Sequence, residues 1–342
     1  MTPVLVDRGI IGGERSLFKR SRWRYGITAR AEDFGYEGPH GPSHWGQEYD
    51  SCVGKHQSPI NIEEHHVRNV SLPPLSFYGL DVPRSAFIVN NGHTVMLKLN
   101  HSEYAQISGG PLGNRSYVFE QLHFHWGKND WEGSEDLINN HSFAMELHVV
   151  FFRLDYGNME EAVNHPDGLV VLAYFFEALD ESNPTYEGIV KALPSVETVG
   201  AMGKLKQPLI LEDLLVPKVA DLHNYFTYDG SLTTPPCSEV VTWIDFKDPL
   251  PLSHLQIAAF RNVRTSEGHR LTHNFRPVQP LADRLVFHNI PHLYKEEDES
   301  HVDEVPSNHL PHEITPEYGH SGQFKIKASF FTISIAFLIS LR

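Results

Sequence analysis

Cysteine is scarce in this chain, which has only Cys52 and Cys237 among its 342 residues. Two thiols are too few for a thiolate zinc site or for a disulfide-dense scaffold. Taken alone, they are either two buried thiols or the two ends of one bridge. A bridge would require an oxidising compartment, and closing so long a loop would restrict the unfolded chain by about 5 kcal/mol on the entropy model.

Basic residues are also few, since 28 lysines and arginines stand against 43 acidic residues, for a formal net charge of -15. A protein that binds nucleic acid through its phosphates needs a basic face, so we expect no nucleic-acid partner. Hydrophobic residues make up 40% of the chain, aromatic residues 11% and charged residues 21%. This composition excludes a wholly disordered protein and is sufficient for a buried core.

Neither end of the sequence contains an apolar run long enough to span a membrane. The first 26 residues lack the apolar core of a signal peptide. Near the other end, residues 328–341 form an apolar run of 14, whereas a spanning helix needs about 20. We interpret residues 328–342 as a GPI-attachment signal, with Ser321 and Gly322 in the candidate cleavage region, although a terminal helix or strand packed on the domain is the alternative. The expected location is the extracellular face of the plasma membrane, through this anchor, or the secreted fraction.

Four N-x-[ST] triplets are compatible with such a location. They begin at Asn69, Asn100, Asn114 and Asn140. Each triplet is a weak signal by itself, because cytosolic proteins carry such triplets by chance. We treat the four asparagines as candidate glycosylation sites.

Helical patterns are few, and short apolar or alternating runs dominate the middle of the chain. The runs at residues 86–99, 117–126, 143–153 and 240–246 predict strands, and turn-rich stretches occupy 108–114 and 231–236. The patterns at 158–163, 186–192 and 252–260 predict short helices at the periphery of a sheet. We therefore predict a β-dominated mixed domain over 38–290, preceded by an arm of unknown role at 1–37 and followed by an acidic, histidine- and proline-containing stalk at 291–327.

The strongest chemical signal is the segment QLHFHWG at 121–127, followed by ELHVV at 146–150. Residues two apart on a strand share a face, so His123 and His125 point the same way, and His148 on an adjacent strand could complete a triangle. Three neutral imidazoles leave the fourth tetrahedral position of zinc open, which is typical of catalytic rather than structural sites. By the same parity, Gln121 and Glu146 can accept the other ring N–H of His123 and His148.

These segments resemble the α-class carbonic anhydrases of the secreted or GPI-anchored type. The likeness extends through SHWG (43–46), QSPINI (57–62), NNGH (90–93), GSE (133–135), SLTTPP (231–236) and NFRP (274–277). It implies a single domain around a large, mostly antiparallel twisted sheet. It also implies a Zn²⁺ cofactor, carbon dioxide and bicarbonate as substrates, a hydroxide on zinc as the attacking group, and inhibition by sulfonamides and anions.

The resemblance assigns further roles residue by residue. Glu135 and Thr233 would orient the attacking hydroxide, His93 would shuttle the proton, and Asn274 would support the metal ligands. The positions that would form the carbon dioxide pocket are Val150, Val171, Leu232, Thr233, Thr234 and Trp243. Cys52 and Cys237 match positions that secreted members bridge.

Three positions depart from the family pattern as we align it. Gln47 stands where many members have tyrosine, which suggests a different water chain to His93. Asp136 replaces a histidine, so a buried carboxylate there must be protonated or paired. Met96 on the pocket wall is expected to change inhibitor preference. Gln47 and Asp136 leave open a non-catalytic binding module, and a zinc-dependent ester hydrolase is a third hypothesis.

Overall fold

Fourteen β-strands organise the part of the chain that the structure describes, which is residues 34–216 and 222–290 of a computed structural model. The predicted stalk and tail, and nearly all of the predicted N-terminal arm, lie outside these residues. The strands are β1 Asn61–Ile62, β2 Arg68–Val70, β3 Leu75–Tyr78, β4 Ala86–Asn90, β5 Val95–Leu99, β6 Gln106–Gly109, β7 Tyr117–Trp126, β8 Leu137–Ile138, β9 Met145–Arg153, β10 Leu169–Leu179, β11 Met202–Lys204, β12 Tyr225–Gly230, β13 Val241–Ser253 and β14 Phe287–Asn289.

Twelve of these strands form one sheet in the order β11-β4-β5-β7-β9-β10-β13-β12-β14-β2, with β6 paired to β7 and β3 to β6. Within this sheet β10–β13 and β14–β2 are parallel pairs, and the other pairs are antiparallel. The remaining strands, β1 and β8, form a separate parallel pair. The predicted fold class, a β-dominated domain around a large, mostly antiparallel sheet, is confirmed.

The central strands β9 and β10 are buried on both faces, which explains their nearly continuous apolar sequence. Successive side chains enter two different cores. Leu147 and Val149 pack into the larger core on one face. Val150 and Val171 pack into a smaller core on the opposite face. His148 lies on the same face as Val150, because residues two apart on a strand project to the same side.

Helices are short and peripheral, as the sequence predicted. The α-helices are α1 Met159–Ala162, α2 Glu187–Val190, α3 Leu211–Leu215 and α4 His254–Phe260. The 3₁₀ helices are Gly38–His40, Trp45–Gln47, Asp50–Val53, Glu64–His66, Ser102–Tyr104, Gly110–Leu112, Leu154–Tyr156, Pro184–Tyr186 and Leu193–Val196. No helix among the described residues has the length and apolar character needed to cross a membrane.

The predicted strand at 86–99 is two strands, β4 and β5, joined by a tight turn. The side chain of Asn91 accepts hydrogen bonds from the backbone N–H groups of His93 and Thr94, at 3.0 and 2.9 Å. Gly92 has a φ of 94°, a left-handed conformation that favours glycine. This turn carries His93 and presents it at one end of the hairpin.

Helix α4 begins two residues later than predicted, because Leu252 and Ser253 end strand β13. The Ser253 hydroxyl accepts from the backbone N–H of Gln256, and the Gln256 side chain accepts from the Ser253 N–H, which is a capping box. The cap satisfies donors that would otherwise be orphaned at the helix start. Strand β13 is therefore longer than the predicted run at 240–246.

The described chain begins with aromatic residues packed on the domain. Phe34 and Tyr36 contact Trp45 edge-on, with ring centroids 5.5 and 5.9 Å apart. This small cluster also contains the disulfide between Cys52 and Cys237, which joins residues 185 positions apart. The end of the segment predicted to be an arm thus packs against the domain core.

All four asparagines of the N-x-[ST] triplets are exposed. Asn69 lies in strand β2, and Asn140 lies in the turn after β8. Exposure is necessary for glycosylation but does not demonstrate it, so these sites stay predictions.

Candidate metal centre

Three histidine side chains converge on the face of the sheet that carries the smaller core. His123 on β7 and His148 on β9 are direct cross-strand partners, and His125 lies two residues along β7. One ring nitrogen from each lies within 4.8 Å of the other two. The ring centroids are 4.5 to 5.2 Å apart. The structure therefore brings together the three residues that the sequence singled out.

The other nitrogen of each ring has its own hydrogen-bond partner. His123 Nδ1 lies 2.9 Å from Gln121 Oε1, and His148 Nε2 lies 2.6 Å from Glu146 Oε1. His125 Nδ1 donates to the backbone carbonyl of Asn274 at 2.7 Å. These contacts fix which nitrogens face the centre of the triangle, namely Nε2 of His123 and His125 and Nδ1 of His148.

The donor set fits a zinc ion. His125 Nε2 is buried and has no hydrogen-bond partner, so it is an orphaned polar atom pointing into the triangle. Burial lowers the pKa of all three histidines, and that of His148 falls to about 3. The neutral imidazole is the form that binds a metal. Three neutral nitrogens in this arrangement match a catalytic zinc site with one open position.

Glu135 lies beside the histidines in a fixed orientation. Its Oε2 is 3.3 Å from His125 Nε2, and its Oε1 accepts from the backbone N–H of Arg276 at 2.7 Å. Burial raises the pKa of Glu135 well above its ordinary value, whereas hydrogen bonds from Arg276 and the Thr233 side chain lower it. The carboxyl group therefore connects the metal centre to the loop that carries Thr233.

Apolar side chains form a wall next to the histidines. Val150, Val171 and Trp243 are adjacent in cross-strand register on β9, β10 and β13, and all three are buried. The ring of Trp243 lies 4.8 Å from that of His148, and Leu232 packs on the same core. Such a surface suits a small uncharged substrate.

Other predicted pocket residues lie at the margins of this wall. Thr233 is buried and Thr234 is half-buried in the loop between β12 and β13. Met96 on β5 is the cross-strand partner of His123, so its side chain borders the metal centre. The structure thus places all of the predicted pocket positions on or beside one face of the sheet.

His93 is half-buried and its ring stacks on Phe34, with centroids 3.7 Å apart and planes 10° from parallel. Its backbone carbonyl accepts from the side chain of Asn274 at 3.1 Å. The adjacent Thr94 donates to the carbonyl of Phe124 at 2.5 Å, which ties the hairpin to the strand that bears two of the histidines. No sequence signal pointed to Phe34.

The effect of Gln47 on a water chain to His93 stays a prediction. Gln47 is exposed in a 3₁₀ helix, whereas Tyr36 is half-buried and its buried hydroxyl has no hydrogen-bond partner. Burial raises the pKa of Tyr36, and the negative charge of Glu135 raises it further, so the two groups are neighbours. A tyrosine from a different segment therefore occupies the surroundings of the site.

Asp136 is buried, and one of its two carboxyl oxygens is paired. Its Oδ1 accepts from the backbone N–H of Ile60 at 2.7 Å and from the Tyr228 hydroxyl at 3.0 Å, while Oδ2 has no partner. Burial, followed by the negative charge of Glu146, raises the pKa of Asp136 well above its ordinary value. Its backbone N–H donates to Glu146 at 3.0 Å, so this residue supports the partner of His148.

The sequence reasoning missed Asp245, a further buried carboxyl group near Asp136 and Glu146. It lies on β13 between Ala173 and Phe226, and neither of its side-chain oxygens has a hydrogen-bond partner. Burial raises its pKa well above the ordinary value, and the negative charges of Asp136 and Glu146 add to the effect. The signal was available, because Asp245 stands between two apolar residues, Ile244 and Phe246, in the predicted strand.

Replacing Asp245 by valine is expected to stabilise the fold by about 1–3 kcal/mol, the usual cost of an unsatisfied buried polar group. Because the pKa of Asp245 is raised, its effect on the free energy of unfolding depends on pH. Above the ordinary pKa near 4, the unfolded chain releases a proton that the folded chain retains, so Asp245 costs more stability as the pH rises. The gain from valine should be larger at pH 8 than at pH 5, as measured by urea unfolding. Asp248→Val, at an exposed position of the same strand, is the control. Equal gains at both pH values would contradict the account.

Arg276 was quoted only as part of a motif, yet it organises the region behind Glu135. Its guanidinium donates to Gln57 Oε1, to the carbonyl of Ser58 and to the carbonyl of Cys52, each at 2.9 Å. Its backbone N–H holds Glu135, as described above. One residue thus connects the disulfide to the metal centre.

Comparison with known proteins agrees with this geometry. Residues 40–290 match the eukaryotic-type carbonic anhydrase family. Carbonic anhydrase 6 from Mus musculus is 38% identical over 281 residues, which cover 79% of this chain and 86% of the relative. Carbonic anhydrase 15 from Mus musculus is 36% identical and covers 72% and 79%. Carbonic anhydrase 7 from Homo sapiens is 41% identical and covers 74% and 96%.

Proposed function

Because the chain belongs to the eukaryotic-type carbonic anhydrase family and is a carbonic anhydrase enzyme, we propose that it reversibly hydrates carbon dioxide to bicarbonate and a proton. The observation that carries the proposal is the convergence of three neutral imidazoles next to an apolar wall. The imidazoles would hold a metal, and the wall would hold an uncharged substrate.

His123, His125 and His148 would bind Zn²⁺ through the nitrogens that face one another. When bound, zinc supplies Lewis-acid activation of water, lowering the pKa of that water to about 7. The outer hydrogen bonds to Gln121, Glu146 and the Asn274 carbonyl hold the rings in the required tautomers.

Glu135 and Thr233 would orient the reacting groups. The Arg276 N–H fixes Glu135 Oε1, and the Thr233 side chain lies near enough to the same carboxyl group to lower its pKa. A hydroxyl that donates to Glu135 keeps its lone pairs available to accept a hydrogen bond from a group in the pocket. Thr233 would therefore orient the group that reacts with the substrate.

The apolar wall would bind carbon dioxide, and His93 would transfer the proton. Val150, Val171 and Trp243 keep water away from the side on which carbon dioxide binds. His93, at the end of the β4–β5 hairpin, would accept the proton that each turnover releases and pass it to buffer, because imidazole titrates near neutral pH. Sulfonamides and small anions would compete for the same pocket.

We further propose that the protein acts outside the cytosol, either secreted or lipid-anchored at the outer surface of the plasma membrane. Two observations support this location. The structure contains a disulfide between Cys52 and Cys237, and such bonds persist in oxidising compartments. The asparagines of the four triplets are all exposed.

The test is stopped-flow measurement of carbon dioxide hydration by the full chain, with zinc content measured on the same sample. Chelation should reduce the rate to that of buffer, and one equivalent of Zn²⁺ per chain should restore it. A folded protein that binds one zinc and gives no rate above buffer would contradict the proposal and favour a non-catalytic binding module. If ester cleavage exceeded hydration in kcat/KM, the ester hydrolase hypothesis would replace it.

A further inference from the structure

A second group of imidazole and carboxylate ligands lies on the surface, in the connection between β1 and β2. It consists of Glu63, His65 and His66, which each offer a ligand atom within 4.8 Å of the other two. Glu63 Oε2 lies 2.9 Å from His66 Nδ1 and 3.6 Å from His65 Nε2. The two imidazole ring centroids are 3.9 Å apart.

The backbone of this segment is held on both sides, so its side chains start from a fixed position. β1 pairs with β8 before it, and β2 pairs with β14 after it. In between, the Glu64 backbone N–H donates to Asn139 Oδ1 at 2.9 Å, and the Glu64 carboxylate accepts from Asn139 Nδ2 at 2.6 Å and pairs with Lys247 at 2.5 Å. Fixed ligands lose less conformational entropy when they bind an ion.

An ordinary surface ion pair is the simpler explanation, and the structure provides examples for comparison. His101 lies 3.5 Å from Glu103, and His269 lies 3.4 Å from Glu267, each a single imidazole beside one carboxylate. Exposed pairs of this kind contribute little to the free energy of unfolding. Glu63 differs, because two imidazoles approach the same carboxylate oxygen and three ligand atoms converge.

We propose that Glu63, His65 and His66 form a second, surface site for a divalent transition-metal cation. Two imidazoles and one carboxylate suit Zn²⁺, Ni²⁺ and Cu²⁺, and among these Cu²⁺ binds nitrogen and oxygen ligands most tightly. The side chains are 37%, 69% and 65% exposed, so a hydrated ion reaches them and retains water in its other positions. This site is independent of the proposed catalytic zinc.

The test is a Cu²⁺ titration of the zinc-loaded full chain, followed by electron paramagnetic resonance and by metal analysis after desalting. The wild-type protein should retain one more Cu²⁺ per chain than H65A/H66A and should show a nitrogen-coupled copper signal that the variant lacks. Glu63→Gln should weaken the binding and keep the nitrogen coupling.

The matched control is H101A/H269A, which removes two exposed histidines that each lie beside one glutamate. It should bind copper as the wild type does. Histidines outside the proposed site are present in both the wild type and H65A/H66A, so their copper cancels in that comparison. Equal copper content and spectra in wild type and H65A/H66A would overturn the proposal. So would copper uptake matched by an equal loss of zinc in both proteins. Unchanged zinc content and hydration rate without copper would show that H65A/H66A is folded.

Discussion

His123→Ala is expected to abolish stoichiometric zinc binding and carbon dioxide hydration together. The substitution leaves two imidazoles, whereas catalytic zinc sites use three protein ligands. It also leaves Gln121 without the ring that it orients. If the whole acceleration depends on the metal, the loss in rate is on the order of 10⁶-fold, the lower end of typical enzymatic enhancements.

The measurement is hydration by stopped flow, with metal analysis on the same preparations. His165→Ala serves as the control, because His165 is partly exposed and stacks on Tyr156 at a ring distance of 3.8 Å, away from the three histidines in the sheet. It should retain both zinc and activity. If His123→Ala kept its zinc and most of its activity, the assignment of this triad would be wrong.

The location of the candidate site was predictable because it is encoded in strand parity. Alternation places His123 with His125 and Glu146 with His148, whatever the rest of the fold does. Parity does not determine register, however. The direct pairing of His123 with His148 depends on how β7 and β9 align, and that alignment is fixed by the apolar residues that each strand sends into the two cores.

Contacts between distant segments were the part that the sequence did not reveal. His125 is held by the backbone carbonyl of Asn274, an atom that every residue has and that no motif can mark. The stacking of Phe34 on His93 and the position of Tyr36 likewise depend on how the first described residues pack on Trp45. In contrast, α1, α2 and α4 were predicted in place, with ends that shifted by one or two residues, whereas α3 was not predicted.

C52A/C237A is expected to lower the free energy of unfolding by about 2–5 kcal/mol, the usual cost of removing a native disulfide from a small secreted domain. The entropy model gives about 5 kcal/mol for a loop that closes residues 185 apart. Alanine is the suitable replacement because both cysteines are buried and a hydroxyl there would need a partner. Unfolding in guanidinium chloride measures the effect. Val53→Ala, at an exposed neighbouring residue, should change stability by no more than about 0.5 kcal/mol.

Loss of the bridge is also expected to lower kcat more than it lowers zinc content. Cys237 lies in the loop that carries Thr233, and its carbonyl accepts from the Gln57 side chain at 3.1 Å. The carbonyl of Cys52 accepts from Arg276, whose backbone N–H holds Glu135. The bridge therefore restrains the two groups that would orient the substrate, whereas the three histidines are held by the sheet itself. A variant that lost stability but kept the wild-type kcat would show that the sheet alone positions Thr233 and Glu135. One that lost zinc in proportion to activity would show that the bridge supports the metal centre directly.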